Sequence, residues 1–225
     1  MNMSGFFITK LMEDPYAAGI WILVVIFSIC CHEFSHAWMA LHQGDPTAAE
    51  QGHLTLNPLK QMGIFSIVML AIMGIAWGAV PVNPSRMKHK YSDALVSFAG
   101  PLMNLILFLV STLGFTITLY YLQYKEVTNP ALENVNFIFF TGARLNLLLF
   151  LLNMLPLPIL DGWGVFSYIF PGLKRLITGS ETIKAIYLIL MLLFIFFLDW
   201  IMTVCIFVTL IAAHLLIIPL RLIGL

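Results

Sequence analysis

Charge is scarce in this sequence. Asp, Glu, Lys and Arg make up 10% of its 225 residues, where soluble globular domains carry about 25%, and the mean hydropathy is +0.95. That shortage excludes an ordinary water-soluble domain. Cysteine is nearly missing too. The three present are the adjacent Cys30 and Cys31 and the distant Cys205, too few and too badly spaced for a disulfide framework. An excess of positive charge is also lacking. The net charge is zero and the basic residues are scattered, which leaves no footprint for nucleic acid. No internal repeat or low-complexity segment is apparent. What remains is apolar: 60% of the residues are hydrophobic, with room for about five or six membrane spans joined by short loops.

Against that background the stretch His32-Glu33-Phe34-Ser35-His36 stands out. The run before it, Tyr16 to Cys31, is almost wholly uncharged. Three ionisable groups within five residues are expensive near a membrane interior unless they are paired or bound to metal. The H-E-x-x-H spacing puts two imidazoles one helical turn apart on one face, where both can ligate one zinc ion, with Glu33 beside them as a general base. Because this first apolar run carries the motif, it is not expected to be a removable signal peptide.

Further apolar runs cover 64–80, 94–122, 137–160 and 183–220. The reading is an all-α membrane protein, a polytopic helical bundle of about five spans. It forms a single domain over 1–225, with a core at about 16–170 and a C-terminal helical hairpin at about 183–220 that turns near Asp199-Trp200. The motif lies near the C-terminal end of its span, so any third ligand must return to the same side. One crossing out over 94–122 and one back over 137–160 achieves this. A full crossing by 64–80 would break the parity, so that short, glycine-interrupted stretch reads as re-entrant. Thr47, Leu54, Thr55 and Leu56 permit a small β-strand element over 47–57, an edge to which an extended substrate could add. Lys60, Arg86, Lys88, Lys90, Lys174, Arg175 and Arg221 are assigned to the motif's side, and Lys10 and Lys125 to the other, with Arg144 just inside the fourth run. The positive-inside rule then places the motif's side in the cytoplasm.

Catalytic zinc takes three protein ligands. The third here is open among Asp161, His53, His89, Asp93, Asp199 and His214. Asp161 is favoured because it follows a proline-broken helix end (Pro156, Pro158) that frees backbone and lets a carboxylate turn inward. Cys31, one residue from His32, points about 100° away around the helix. Asn153 lies in a span and can donate to a developing oxyanion or bond another helix. Gly100 and Asn104 read as a close helix approach and a polar helix contact, and Pro101 suits a first helical turn. A metal-binding transporter and a noncatalytic scaffold are the rival functions. The first would spread polar groups along a path, and the second has no use for Glu33.

Three motifs in order carry a resemblance: His32 to His36; Ala99-Gly100-Pro101-Leu102-Met103-Asn104; and Asn153-Met154-Leu155-Pro156-Leu157-Pro158-Ile159-Leu160-Asp161-Gly162. Together they resemble the site-2 protease family of intramembrane zinc metalloproteases, in its compact branch without PDZ or CBS domains. Leu54-Thr55-Leu56-Asn57-Pro58 and Pro81-Val82-Asn83-Pro84 resemble that branch's linking segment. The resemblance implies one Zn2+ per chain held by His32, His36 and Asp161, and Glu33 as general base for zinc-bound water. It also implies that Asn153 lies near the site and assists the reacting carbonyl. The expected activity is hydrolysis of membrane-spanning protein substrates within the lipid bilayer by regulated intramembrane proteolysis. The expected location is a prokaryotic cell membrane, with the active site toward the cytoplasm.

Overall fold

A computed structural model describes residues 9, 12–173, 185, 189 and 197–223. Four of its helices are long and apolar enough to cross a membrane. Helix α1 spans Pro15–His42. Asp14 caps its start by accepting from the Ala17 amide at 2.9 Å, and Pro15 supplies a preset first turn. Two four-residue helices follow, α2 (Thr47–Glu50) and α3 (Pro58–Gln61), and then α4 (Gly63–Met73). The second long helix is α5 (Ser92–Tyr124) and the third is α6 (Pro130–Asn153), capped by the Asn129 side chain. A short helix α7 (Asp161–Ile169) and the fourth long helix α8 (Leu198–Ile223) follow.

The architecture is an all-α membrane bundle. α5 packs most extensively against α6, and α1 lies against α5. One apolar cluster joins Val25, Ile29 and Cys30 of α1 to Met62, to Leu70 of α4 and to Leu145 of α6. A second joins Phe108, Ala143, Leu147 and Cys205, tying α8 to the α5–α6 pair. The polarity is inverted relative to a soluble protein. Ser28, His32, Glu33, His36, Asn104, Thr116 and Asn146 are buried, while Leu23, Phe27, Leu109, Val110, Phe207 and Ile211 face outward.

Helix α4 has 11 residues, about 16 Å at 1.5 Å per residue, and a hydrocarbon core is about 30 Å thick. Gly74 ends it in the left-handed conformation (φ 74°), and the chain then runs back without regular structure. Ser66 Oγ donates to the Trp77 carbonyl and accepts from the Trp77 amide. The Ala79 amide donates to Gln61 O at 3.0 Å, returning the chain to the level where α4 begins. The segment is a hairpin that doubles back, as the parity argument requires.

Several expectations need correction. Among the described residues there are four candidate spans rather than about five. The first arm of the expected 183–220 hairpin lies largely outside the described residues. The β-strand expected over 47–57 is not formed. The Asp45 side chain accepts from Thr47 and starts the Ala-rich turn α2, and the Gln61 amide donates to the carbonyls of His53 and Thr55, folding this stretch onto itself. Pro101 lies inside α5 rather than in its first turn, because the helix begins at Ser92. Arg221 belongs to the end remote from the motif, where its guanidinium lies 3.8 Å from the centre of the Tyr124 ring at the far end of α5. Arg144 sits past the middle of α6, stacked on Phe140.

Candidate metal centre

The centre is built where the C-terminal third of α1, the first third of α5 and the start of α7 meet. On α1 the i, i+4 spacing brings His32 and His36 together. Their Nε2 atoms lie 3.0 Å apart and their rings meet edge to face. After Asn153 ends α6, the proline-containing turn lets the chain re-enter, and Asp161 opens α7. A carboxylate at a helix N-terminus is favoured by the backbone dipole there. Its Oδ2 is 2.9 Å from His32 Nε2 and its Oδ1 is 3.3 Å from His36 Nε2.

The donor chemistry fits a metal cation. His36 Nδ1 donates to the Val96 carbonyl at 2.7 Å. A carbonyl can only accept, so the neutral His36 ring presents a bare lone pair at Nε2. That lone pair faces His32 Nε2 and two carboxylate oxygens. The three ligand atoms, one from each residue, lie within 4.8 Å of one another. Convergent acceptors repel one another unless a cation sits among them. Two imidazoles and one carboxylate form a donor set that zinc accepts, with a fourth position left for water or substrate.

Helix α5 approaches this centre closely because Gly100 has no side chain. A Cβ there would run into both imidazoles. On the other side the returning segment passes over Glu33, and a Cβ at Gly78 would collide with that carboxylate. Glu33 is buried, and with His36, Asp161, Gly78, Asp93 and Ser97 it lines a cavity of about 260 Å³. The Glu33 carboxylate, the His32–His36–Asp161 cluster and a space large enough for a peptide group are thus contiguous.

Of the residues singled out from sequence, His32, Glu33, His36 and Asp161 come together. Among the described residues His53, His89, Asp93, Asp199 and His214 do not join the ligand cluster, although Asp93 lines its cavity. Asn153 stands at the last turn of α6 and donates from Nδ2 to the Leu149 carbonyl of its own helix at 3.0 Å. Sequence reasoning missed the Val96 carbonyl, which carries no side-chain signal. It also missed the role of Asn104, whose Oδ1 is 2.6 Å from His32 Nδ1. The spacing of Gly100 and Asn104, one turn apart on one face, was the signal for the second.

The model of peptidase family M50 matches residues 20–198. Among curated proteins, "Putative zinc metalloprotease YwhC" of Bacillus subtilis (strain 168) is 34% identical over 183 residues, covering 80% of this chain and 81% of that protein. "Putative zinc metalloprotease Rip2" of Mycolicibacterium smegmatis is 32% identical over 179 residues, covering 72% of this chain and 63% of that protein. Its namesake in Mycobacterium tuberculosis (strain H37Rv) is 27% identical over 191 residues, covering 78% and 68%. No solved structure gives a significant match.

Proposed function

This chain belongs to peptidase family M50 and is a membrane zinc metalloprotease, and from that premise we propose that it cleaves membrane-spanning proteins by regulated intramembrane proteolysis. The observation that carries the reading is the convergence of His32 Nε2, His36 Nε2 and the Asp161 carboxylate at one point, with Glu33 in the same cavity. We assign His32, His36 and Asp161 as the ligands of one zinc ion. When bound, zinc polarises a substrate carbonyl and acidifies water.

Glu33 accepts a proton from the attacking water and passes it to the leaving amine. Glu33 is buried beside the ligand cluster, which keeps that transfer local. Val96, through its carbonyl, holds His36 with its metal-facing nitrogen unprotonated. Asn153 is assigned the finer role of donating to the oxygen of the carbonyl under attack. It would do so by releasing its bond to Leu149 as the substrate seats. A helical substrate hides its carbonyls in its own hydrogen bonds, so cleavage requires that it unwind locally at the cavity.

The test uses the full chain in bilayer nanodiscs with a membrane-spanning substrate, read by cleavage and by zinc content. Glu33→Gln is expected to abolish cleavage and keep zinc. Asn153→Ala is expected to lower kcat by about 100-fold, the loss typical of one oxyanion donor, also with zinc retained. Cleavage persisting in Glu33→Gln would remove Glu33 as the base. Cleavage persisting after zinc is stripped would remove the metalloprotease mechanism itself.

A further inference from the structure

One buried polar chain reaches the metal centre from the middle of α6. Asn146, buried, donates from Nδ2 to the carbonyl of Gly142 at 2.9 Å and to Ser28 Oγ at 2.9 Å. Its Oδ1 accepts from Asn104 Nδ2 at 3.0 Å. Asn104, fully buried on α5, turns its Oδ1 to His32 Nδ1 at 2.6 Å. The chain thus links α6 to α5 and α5 to α1, and ends on a residue assigned to zinc.

The direction of every bond follows from one fixed end. The Gly142 carbonyl can only accept, so Asn146 must point its amide nitrogen there and its oxygen toward Asn104. Turning the Asn146 amide over would set two acceptors against each other between two buried side chains. Asn104 must then present nitrogen to Asn146 and oxygen to His32. His32 must in turn donate from Nδ1, which leaves Nε2 bare and aimed at His36 Nε2 and Asp161.

We propose that Asn146 and Asn104 are positioning residues which fix the tautomer of His32, so that its Nε2 is held ready for the metal by a hydrogen-bond relay anchored on the Gly142 backbone. Metal-ligating histidines commonly donate their other nitrogen to an outer partner, which sets tautomer and ring orientation. In this protein that partner is an amide, which could face either way. Asn146 removes the ambiguity. Without it, Asn104 is free to turn its nitrogen toward His32 Nδ1, and the imidazole proton then moves to Nε2, where it blocks ligation.

The experiment measures two things on the full chain in nanodiscs. Nitrogen-15 NMR of histidine-labelled, metal-free protein carrying Asp161→Ala, in which the carboxylate 2.9 Å from Nε2 is removed, reports which ring nitrogen of His32 carries the proton, with the signal assigned against His32→Gln. Competition with a chelator reports zinc affinity. Asn146→Leu is expected to shift His32 toward the Nε2-protonated tautomer and to weaken zinc by about 10- to 100-fold, the range for loss of an outer partner. Asn104→Asp keeps an acceptor oxygen toward His32, because any proton it carries is drawn to the oxygen that faces Asn146 Oδ1. In that background Asn146→Leu is expected to change zinc affinity by no more than about two-fold.

An unchanged tautomer in Asn146→Leu, or an equal loss of zinc in both backgrounds, would overturn the relay in favour of simple helix packing. Asn146→Ser, which also lacks the amide, replaces the leucine variant with the same expectations should the latter fail to fold. The inference rests on His32 as a zinc ligand. Undiminished zinc binding in His32→Gln would sink that assignment, whereas the tautomer readout in metal-free protein tests the relay by itself.

Discussion

At the scale of single residues, the centre depends on an atom that is not there. Gly100 lets α5 lie against both imidazoles, and any side chain at that position would occupy their space. The neighbours cannot easily give, because His36 is held by the Val96 carbonyl and His32 by Asn104. Gly100→Ala is therefore expected to lose zinc at concentrations that saturate the parent protein. Overpacking of about 1–3 kcal/mol should also lower the melting temperature of the metal-free form. Full zinc occupancy in Gly100→Ala would show that α5 can slide away and that the tight approach is incidental. The His32–Glu33–His36 pattern was legible in sequence because its geometry is local to one helix. Asp161 was legible through the prolines before it. The amide chain was not, because its bonds join residues separated by 42 and 72 positions, and only packing of three helices brings them together.

At the scale of elements, the returning stretch after α4 has no ladder to hold it over Glu33, so its end needs an anchor. Asp45 supplies one. It is buried just beyond α1 and accepts from the Asn83 amide at 2.6 Å and the Thr47 amide at 3.0 Å. Arg86, paired with Glu50, lies close by. Burial pushes the Asp45 carboxyl up, but the bonds from Thr47 and Asn83 and the nearby Arg86 outweigh it and hold the group below its ordinary value. A carboxyl depressed in the folded state contributes stability above its unfolded pKa of about 3.9, and that contribution is lost as pH falls through the lower folded value. Hydrogen-exchange protection of the Asn83 amide should therefore be full at neutral pH and fall only below about pH 4. Asp45→Ala should lose it at every pH, at a cost of about 1–3 kcal/mol for the donors left unpaired. Protection that is independent of both pH and Asp45 would mean that the segment is held elsewhere. The hairpin was legible from its length and glycines. The strand over 47–57 was misread because side-chain bonds from Asp45 and Gln61 outweigh weak β propensity there.

At the scale of the whole molecule, polar side chains face inward and apolar ones outward, so the bundle is solvated by lipid and its orientation is set by the loops. The crossing pattern was legible because a site shared by the end of α1, the start of α5 and the approach to α7 allows only an even number of crossings between its parts. The side of Arg221 was not, since it depends on where α8 runs and not on its composition. With Arg221 moved to the end occupied by Tyr124, and Arg144 set aside inside α6, the described basic residues divide as Lys60, Arg86, Lys88 and Lys90 at the metal end against Lys125 and Arg221 at the other. On this balance we propose a cytoplasmic metal end, because Lys and Arg near span ends are retained inside. The three native cysteines are buried, so an introduced thiol can be read against a quiet background. Lys90→Cys should react with an impermeant maleimide only after cells are permeabilised, and Lys125→Cys should react in intact cells. The reverse pattern would put the metal end outside. The water consumed at each cleavage would then be drawn from the external medium rather than the cytoplasm.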